Sequence, residues 1–251
     1  MKRFFTLWAR EVRHYFNQPL AYIVLFFFLL ITAVNFHAAL LALNRESAQT
    51  SVVEAFFNTV LFWFPFVLSF PLLTMRLFSE EYKLGTIETL MTAPVRDSQV
   101  VLAKFLGSLF FYVILWAPSV IYFVVFRWVS GQNAADSFGA YIGVYSMLIL
   151  VGMFYLSIGC LASALTKNQI VAATITFAVI CLLFFLGLLS FIFLKASSTL
   201  RELTYYFSTI EHMGEFSRGL FDTRPVVFYL TMTLFTIFLT FHVFQYRRWK
   251  S

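Results

Sequence analysis

Six long apolar runs, separated by short polar stretches, dominate the hydrophobic pattern of this chain. They cover residues 20–43, 56–77, 101–126, 138–164, 169–194 and 226–246. A helix that crosses a bilayer needs about 20 mostly apolar residues, because its backbone groups must bond within the segment. The runs are continuous rather than alternating, which argues against a β-barrel. The pattern therefore predicts six transmembrane helices, with the fourth and fifth divided only by the polar residues 166–168.

Composition strengthens this interpretation. Hydrophobic residues make up 61% of the 251 positions, charged residues only 12%, and 34 residues are Phe. The mean hydropathy is +0.82. One soluble core of this size could not bury so much apolar surface, so lipid is the expected solvent.

The basic residues predict an orientation. With the N-terminus inside, twelve of the 18 Lys and Arg fall on the inner side and six on the outer side. Cytoplasmic loops carry such an excess, so both termini and the charged stretch 78–104 are placed in the cytoplasm. The basic leader (Lys2, Arg3, Arg10 and Arg13) precedes a span-length run without a clear cleavage site, which favours an uncleaved anchor.

The sequence offers little chemistry of its own. The net charge of +6 follows from this asymmetry, and a basic soluble module for nucleic acid is not expected. Cys160 and Cys181 lie inside predicted spans without metal-ligand spacing, and no nucleophile motif is recognisable. We therefore expect no catalytic residue, no metal site and no cofactor in this chain.

An energy source is also missing from the chain. All twelve Asp and Glu fall in predicted loops, termini or span edges, so no carboxylate relay for ion-coupled transport is expected. The chain lacks the phosphate-binding loop GxxxxGK[ST] and a soluble stretch long enough for an ATPase domain. Driven transport would need a second polypeptide.

One charged interruption breaks the first half of the pattern. Residues 78–104 carry several charges, which we expect to stand in water and to meet a soluble partner: Glu80, Glu81, Lys83, Glu88, Arg96, Asp97 and Lys104. Gly85 can end the preceding element, Thr86 suits an N-cap, and Pro94 can stop a helix. These signals predict a short helix over 87–92, with Ile87, Leu90 and Met91 on one side. Docking of a partner, resting on lipid headgroups and packing against the chain's own bundle all remain open.

The same stretch resembles a known family. Its pattern is similar to that of ABC-2-type permeases, the membrane subunits of ABC transporters, at Ser79, Glu80, Glu81, Gly85, Thr86, Glu88, Leu90, Pro94, Val95 and Lys104. Residues 10–22, 211–219 and 247–249 are similar to the gliding-motility permease branch, so the resemblance spans essentially the whole chain. Tyr82–Leu84 and Ala103 depart from the pattern, which leaves the identity of the partner ATPase open.

The resemblance implies an all-α integral membrane fold within a single domain, 1–251. An N-terminal interfacial helix (1–19) would precede six transmembrane helices, a cytoplasmic coupling helix within segment 78–97 would join spans two and three, and short extracytoplasmic helices within 195–225 would join spans five and six. In the first segment, an apolar side (Phe4, Trp8, Val12, Tyr15 and Phe16) opposes Arg3, Arg10 and Arg13. In the last, Gly214 and Gly219 are expected to break the helix, and Pro225 to open the sixth span.

The resemblance also implies partners and a location. These are two ABC ATPase subunits carrying ATP and Mg, a second permease chain, like or unlike, and an extracytoplasmic accessory protein. The location is the bacterial cytoplasmic (inner) membrane, with several passes through the lipid bilayer. Its expected function is that of an exporter permease subunit driven by the docked ATPases. Two alternatives stay open: a membrane anchor for force generation or assembly, and an ATP-independent channel. The substrate is not indicated.

Two sets of candidate residues follow from the resemblance. The ATPase-coupling set is Glu80, Glu81, Gly85, Thr86, Glu88, Leu90, Met91 and Pro94. The family places spans two and five at the interface between permease chains. The pathway-lining set on those spans is therefore Asn58, Thr59, Ser69, Thr74, Gln169, Thr174, Thr176 and Ser190.

Overall fold

The computed structural model describes residues 2–45, 51–87, 95–130, 138–192 and 205–250. Helices account for nearly all of these residues. In chain order they are α1 (Lys2–Asn17), α2 (Pro19–Arg45), α3 (Val52–Phe57), α4 (Val60–Thr74), α5 (Ser79–Leu84), α6 (Asp97–Ser130), α7 (Phe138–Leu165), α8 (Gln169–Ile192), α9 (Thr209–Ser217) and α10 (Thr223–Lys250).

The prediction of six membrane-spanning helices is confirmed. Within the described residues, six segments are long and apolar enough to cross a bilayer: Pro19–Leu43, Val60–Leu84, Asp97–Val129, Phe138–Leu165, Gln169–Leu189 and Thr223–Arg247. The division between the fourth and fifth is also where the polar residues predicted it. Asn168 Oδ1 accepts a hydrogen bond of 2.9 Å from the Ile170 amide and so starts α8.

The second span begins later than the apolar pattern suggested. The run 56–77 was expected to form one helix, but the chain breaks between α3 and α4. The Thr59 side chain caps α4 by accepting from the Phe62 amide, and it also donates to Asn35 Oδ1 at 2.6 Å. Hydrophobicity does not register such a break, because α3 is as apolar as the span it precedes.

α7 forms the centre of the bundle. It packs against α4, α6, α8, α9 and α10, and most of the residues in its apolar stretch are buried inside the chain. Glycines on α7 allow close approaches, since a side chain at Gly159 would collide with Thr74, one at Gly152 with Tyr112 and one at Gly143 with the Phe216 backbone. α7 is therefore the scaffold that positions both ends of the molecule.

The two ends of the bundle differ in composition. The terminal end, where the described chain begins and ends, consists of α1, the first turns of α2, the end of α4, α5, the start of α6 and the last turns of α7 and α10. The distal end consists of α3, α9 and the adjoining turns of α7 and α10.

α1 attaches to the bundle through its aromatic side. Trp8 packs edge-on against Phe110, and Tyr15 stacks on Phe111, with ring centroids 5.5 and 5.1 Å apart. The Tyr15 hydroxyl donates to the Leu73 carbonyl at 2.8 Å, which joins α1 to α4. The side bearing Arg3, Arg10 and Arg13 is exposed, as the amphipathic pattern predicts.

The segment before the last span differs from its prediction in one respect. Gly214 does not break the chain but lies inside α9, because its neighbours Met213 and Phe216 bury the helix against the bundle. Gly219 does break it, with a φ of +78° that glycine adopts without steric cost. Pro225 lies in the first turn of α10, as expected. The first part of the predicted segment 195–225, up to residue 204, lies outside the described residues.

Candidate coupling site at the terminal end

Glu80 and Glu81 lie on α5, a short helix that the sequence did not predict. The amides of Phe78, which precedes α5, and of Ser79, its first residue, donate to the Ser163 hydroxyl on α7 at 3.0 and 3.1 Å. Gly85 then ends α5 with a φ of +71°, so the expected break at this glycine is confirmed. The N-terminal end of α5 is thus held to α7 by hydrogen bonds, and Gly85 turns the chain at its C-terminal end.

Four charged side chains meet between α1, α5 and α6, and we call them the charge cluster: Arg10, Glu11, Glu81 and Lys104. The Lys104 ammonium lies 2.8 Å from Glu81 Oε1 and 3.2 Å from Glu11 Oε2. The Arg10 guanidinium lies 3.1 Å from Glu11 Oε1 and 3.4 Å from Glu81 Oε1. Each carboxylate therefore faces two cations, and the cluster as a whole is neutral.

The inner part of the charge cluster is buried. Lys104 is 2% exposed and Glu11 6%, so the expectation that the whole stretch 78–104 stands in water is wrong for Lys104. Burial acts to raise the pKa of the Glu11 carboxyl, but the positive charges of Lys104 and Arg10 outweigh it and hold that pKa below its ordinary value. Glu11 and Lys104 accordingly form a buried charged pair.

α5 also contacts the other chain terminus. The Arg247 guanidinium of α10 lies over the Tyr82 ring, 4.6 Å from its centroid, and donates to the Leu165 carbonyl at the end of α7. A cation over an aromatic face is attracted by the ring quadrupole, which is negative at the face. α5 is thereby linked to α1, α6, α7 and α10 within a few ångströms.

The predicted coupling residues fall into two groups. The first group, which the structure describes, is Glu80, Glu81, Gly85 and Thr86, of which Gly85 and Thr86 are exposed. Ile87, the first residue of the predicted helix, is buried. Glu88, Leu90, Met91 and Pro94 lie outside the described residues, as does most of the predicted helix 87–92. The helix 87–92 thus stays a prediction, whereas α5, which precedes it and contacts the bundle, is described.

The predicted pathway residues occupy varied environments on α4 and α8, which pack against each other within this chain. Ser69, Thr74 and Thr176 are buried and donate to carbonyls of their own helices. The others are more accessible or serve as caps: Asn58 follows α3, Thr59 caps α4, Gln169 starts α8, and Thr174 is exposed. Ser190 lies on α8 with its side chain undescribed.

Sequence reasoning missed the role of Glu11 and Arg10. Glu11 is 93 residues from Lys104 in the chain, so no local pattern joins them. A signal was nevertheless present, because a lysine close to the start of an apolar run needs an acidic partner if it becomes buried. The acidic residue in the amphipathic first segment was one candidate for that partner.

A second polar group lies buried at the distal end, and we call it the neutral network: Tyr155, Thr209, His212 and Tyr229. The Tyr155 hydroxyl is 2.8 Å from Thr209 Oγ1, Tyr229 donates to the same oxygen at 3.3 Å, and His212 Nδ1 is 3.1 Å from the Tyr229 hydroxyl. Burial lowers the pKa of His212 to about 4. This network joins α9 to α7 and α10 without net charge.

No group of three or more metal-ligating side chains occurs in the part of the chain that the structure describes. In the charge cluster the carboxylates pair with the side-chain cations of Arg10 and Lys104 rather than with one another around a metal position. Its geometry is suited to holding three helices together rather than to chemistry.

Comparison with known proteins agrees with this architecture. Residues 18–184 match the sequence model of a family described as ABC-2 family transporter protein. No match is found among curated proteins. The matched region covers two thirds of the chain and includes the first four spans, most of the fifth, α5 and Lys104. The chain therefore belongs to the ABC-2 family of transporter proteins and is a multi-pass transmembrane component rather than an ATPase domain.

Proposed function

We propose that this chain is the permease subunit of an ABC exporter, and that the charge cluster carries the movement of a docked ATPase from segment 78–97 into the membrane helices. ABC-2 permeases work with ATPase subunits and a second permease chain, which supports the partners proposed for this chain. The export direction and the placement of both termini in the cytoplasm rest on the resemblance and on the distribution of Lys and Arg.

The observation that carries the proposal is the pairing of Lys104 with both Glu81 and Glu11. Glu81 lies on α5, within segment 78–97 and directly before the predicted helix 87–92. Lys104 lies on the third span, and Glu11 lies on α1. A displacement of α5 would pull on two further helices, because breaking either pair would leave the buried Lys104 ammonium with one carboxylate instead of two. The cheapest movement keeps the three elements together.

Docking can be tested by charge reversal at Glu80 and Glu88 in the full-length chain, tagged and purified from native membranes. Like charges across an interface repel, so the double variant Glu80→Lys/Glu88→Lys should recover at least tenfold less ATPase than the unchanged chain. Glu81 is left intact because its reversal would break the charge cluster. The matched control, Glu211→Lys on α9, should leave recovery unchanged; equal recovery by the double variant would remove the docking role.

Coupling needs a variant that preserves stability. The neutral variant Glu11→Gln/Glu81→Gln/Lys104→Met removes all buried charge at once, and such replacements are often neutral for stability. We expect it to insert and to retain the ATPase, yet to lose most of the change in ATP hydrolysis that the intact permease imposes on its partner. Hydrolysis identical to that of the unchanged complex would contradict the proposed role of the cluster.

A further inference from the structure

A cavity of about 1400 Å³ lies at the terminal end, between α1, the first turns of α2, the end of α4 and α5. This volume exceeds the roughly 300–1,000 Å³ typical of small-molecule sites. The charge cluster forms only part of its wall. The remainder combines basic and apolar surfaces that the proposed coupling function does not use.

The polar wall is basic. Arg3, Arg10 and Arg13 recur at helical spacing on the exposed side of α1, and Arg76 projects from the turn after α4. The charged groups lining the cavity are five cations and three carboxylates: Arg3, Arg10, Arg13, Arg76 and Lys104 against Glu11, Glu80 and Glu81. After the neutral charge cluster is set aside, the remaining charged groups on the wall are Arg3, Arg13, Arg76 and Glu80.

Arg76 has hydrogen-bonding capacity to spare. Its Nη1 donates to Gln18 Oε1 at 3.1 Å, while its Nε is buried and has no hydrogen-bond partner among the described residues. Nor does any of the ion pairs found among these residues involve Arg76. A buried donor without an acceptor is costly, and the planar guanidinium matches the oxygens of a phosphate.

Another part of the cavity wall is apolar. It consists of Leu20, Ala21 and Val24 on α2 with Leu72 and Leu73 on α4. These residues belong to the first turns of one span and the last turns of another, where a bilayer changes from headgroups to hydrocarbon. Next to them, Tyr22 and Phe26 of α2 are more than half exposed. A ligand that fits both walls has an anionic head and an apolar body.

We infer that this cavity binds the phosphate of an anionic glycerophospholipid, held by Arg76 and Arg13, with its glycerol and upper acyl chains against α2 and α4. A free phosphate would satisfy the arginines but would leave the apolar wall bare. An amphipathic basic helix beside an anionic lipid surface has the same complementarity, which strengthens the choice of a lipid. The inference does not depend on coupling to an ATPase.

The test measures lipid binding to the detergent-purified full-length chain by native mass spectrometry. Phosphatidylglycerol should bind at least tenfold more tightly than phosphatidylcholine of the same acyl chains, and Arg13→Gln/Arg76→Gln should weaken phosphatidylglycerol about tenfold. Arg127→Gln, an exposed arginine at the other end of α6, should have no effect. If the double variant fails to fold, Arg13→Gln alone, on the exposed side of α1, should still weaken binding about threefold.

Three results would overturn the inference. Equal binding of the two lipids, or equal binding by the arginine variants and the unchanged chain, would show that the arginines do not select an anionic headgroup. Displacement of phosphatidylglycerol by an equal concentration of inorganic phosphate would assign the site to a soluble anion. Loss of bound phosphatidylglycerol when the partner ATPase is present would show that these arginines face protein rather than lipid.

Discussion

The two ends of the bundle hold their helices together by opposite means. At the terminal end, α1, α5 and α6 meet through the charge cluster, whose members attract one another over 2.8–3.4 Å. At the distal end, α7, α9 and α10 meet through the neutral network of hydroxyls and one imidazole. A buried ion pair ties its partners strictly together, whereas neutral hydrogen bonds hold an element in place at lower electrostatic cost. The contrast is what we expect if α1, α5 and α6 move together at the terminal end while α7, α9 and α10 keep their positions at the distal end.

Removing the cation of the charge cluster should produce the largest effect. Lys104→Met leaves Glu11 and Glu81 buried with only Arg10 beside them, which should cost about 3–5 kcal/mol in the free energy of unfolding. Unfolding of the purified chain in detergent by increasing denaturant measures this. Lys167→Met, at an exposed lysine, is the control. A loss below about 1 kcal/mol for Lys104→Met would mean that the cluster does not hold the helices together.

Acid should weaken the distal end before the terminal end. His212 has a folded pKa of about 4 against an ordinary 6.5, so between these values the unfolded chain binds a proton that the folded chain does not. Stability is then fully present above pH 6.5 and falls by about 3 kcal/mol as the pH drops to 4. Thermal unfolding between pH 7 and 4.5 tests this, and His212→Gln should flatten the dependence.

The Glu11 contribution has a different pH range. Its pKa is lowered below the ordinary 4.5, so the stability it provides is present above that value and is lost only as the pH falls further. His212→Gln should therefore stay stable down to about pH 4.5. A variant that still lost stability between pH 6.5 and 4.5 would show that a group other than His212 titrates there.

The exposed ion pair at the distal end should matter least. Arg218 lies 2.7 Å from Glu54 and links α9 to α3, but its side chain is 62% exposed. Such pairs contribute about 0–1 kcal/mol and weaken in salt. Arg218→Gln should therefore change the unfolding free energy by less than about 1 kcal/mol. A loss of several kcal/mol, unaffected by salt, would place this pair among the principal contacts of the distal end.

The sequence predicted the features that depend on local pattern. Six spans, the break at 166–168, and the turns at Gly85 and Gly219 follow from hydrophobic run length and from backbone conformations that favour glycine. The amphipathic division of α1 also follows from helical periodicity. These features need only neighbouring residues for their recognition.

The rest required tertiary information. The break before α4 depends on the hydrogen bond that the Thr59 hydroxyl donates to the Asn35 side chain. The helix α5 depends on two backbone amides that donate to the Ser163 hydroxyl, which is 84 and 85 residues away in the chain. Lys104 was recognised as part of the family pattern, but its burial and its pairing with Glu11 come from the packing of α1 against α6. The pathway set stays a prediction, because it concerns an interface with a second chain.

The central claim is that the charge cluster makes α1 follow α5 when ATP is bound. Spin labels at Phe5 and Lys83, exposed positions on α1 and α5, would report their separation in the complex with the ATPase, in a chain with Cys160→Ala and Cys181→Ala. With the cluster intact, ATP should leave the distance between the two labels unchanged. In the neutral variant Glu11→Gln/Glu81→Gln/Lys104→Met, ATP should shift or broaden it. The same response in both complexes would contradict the account.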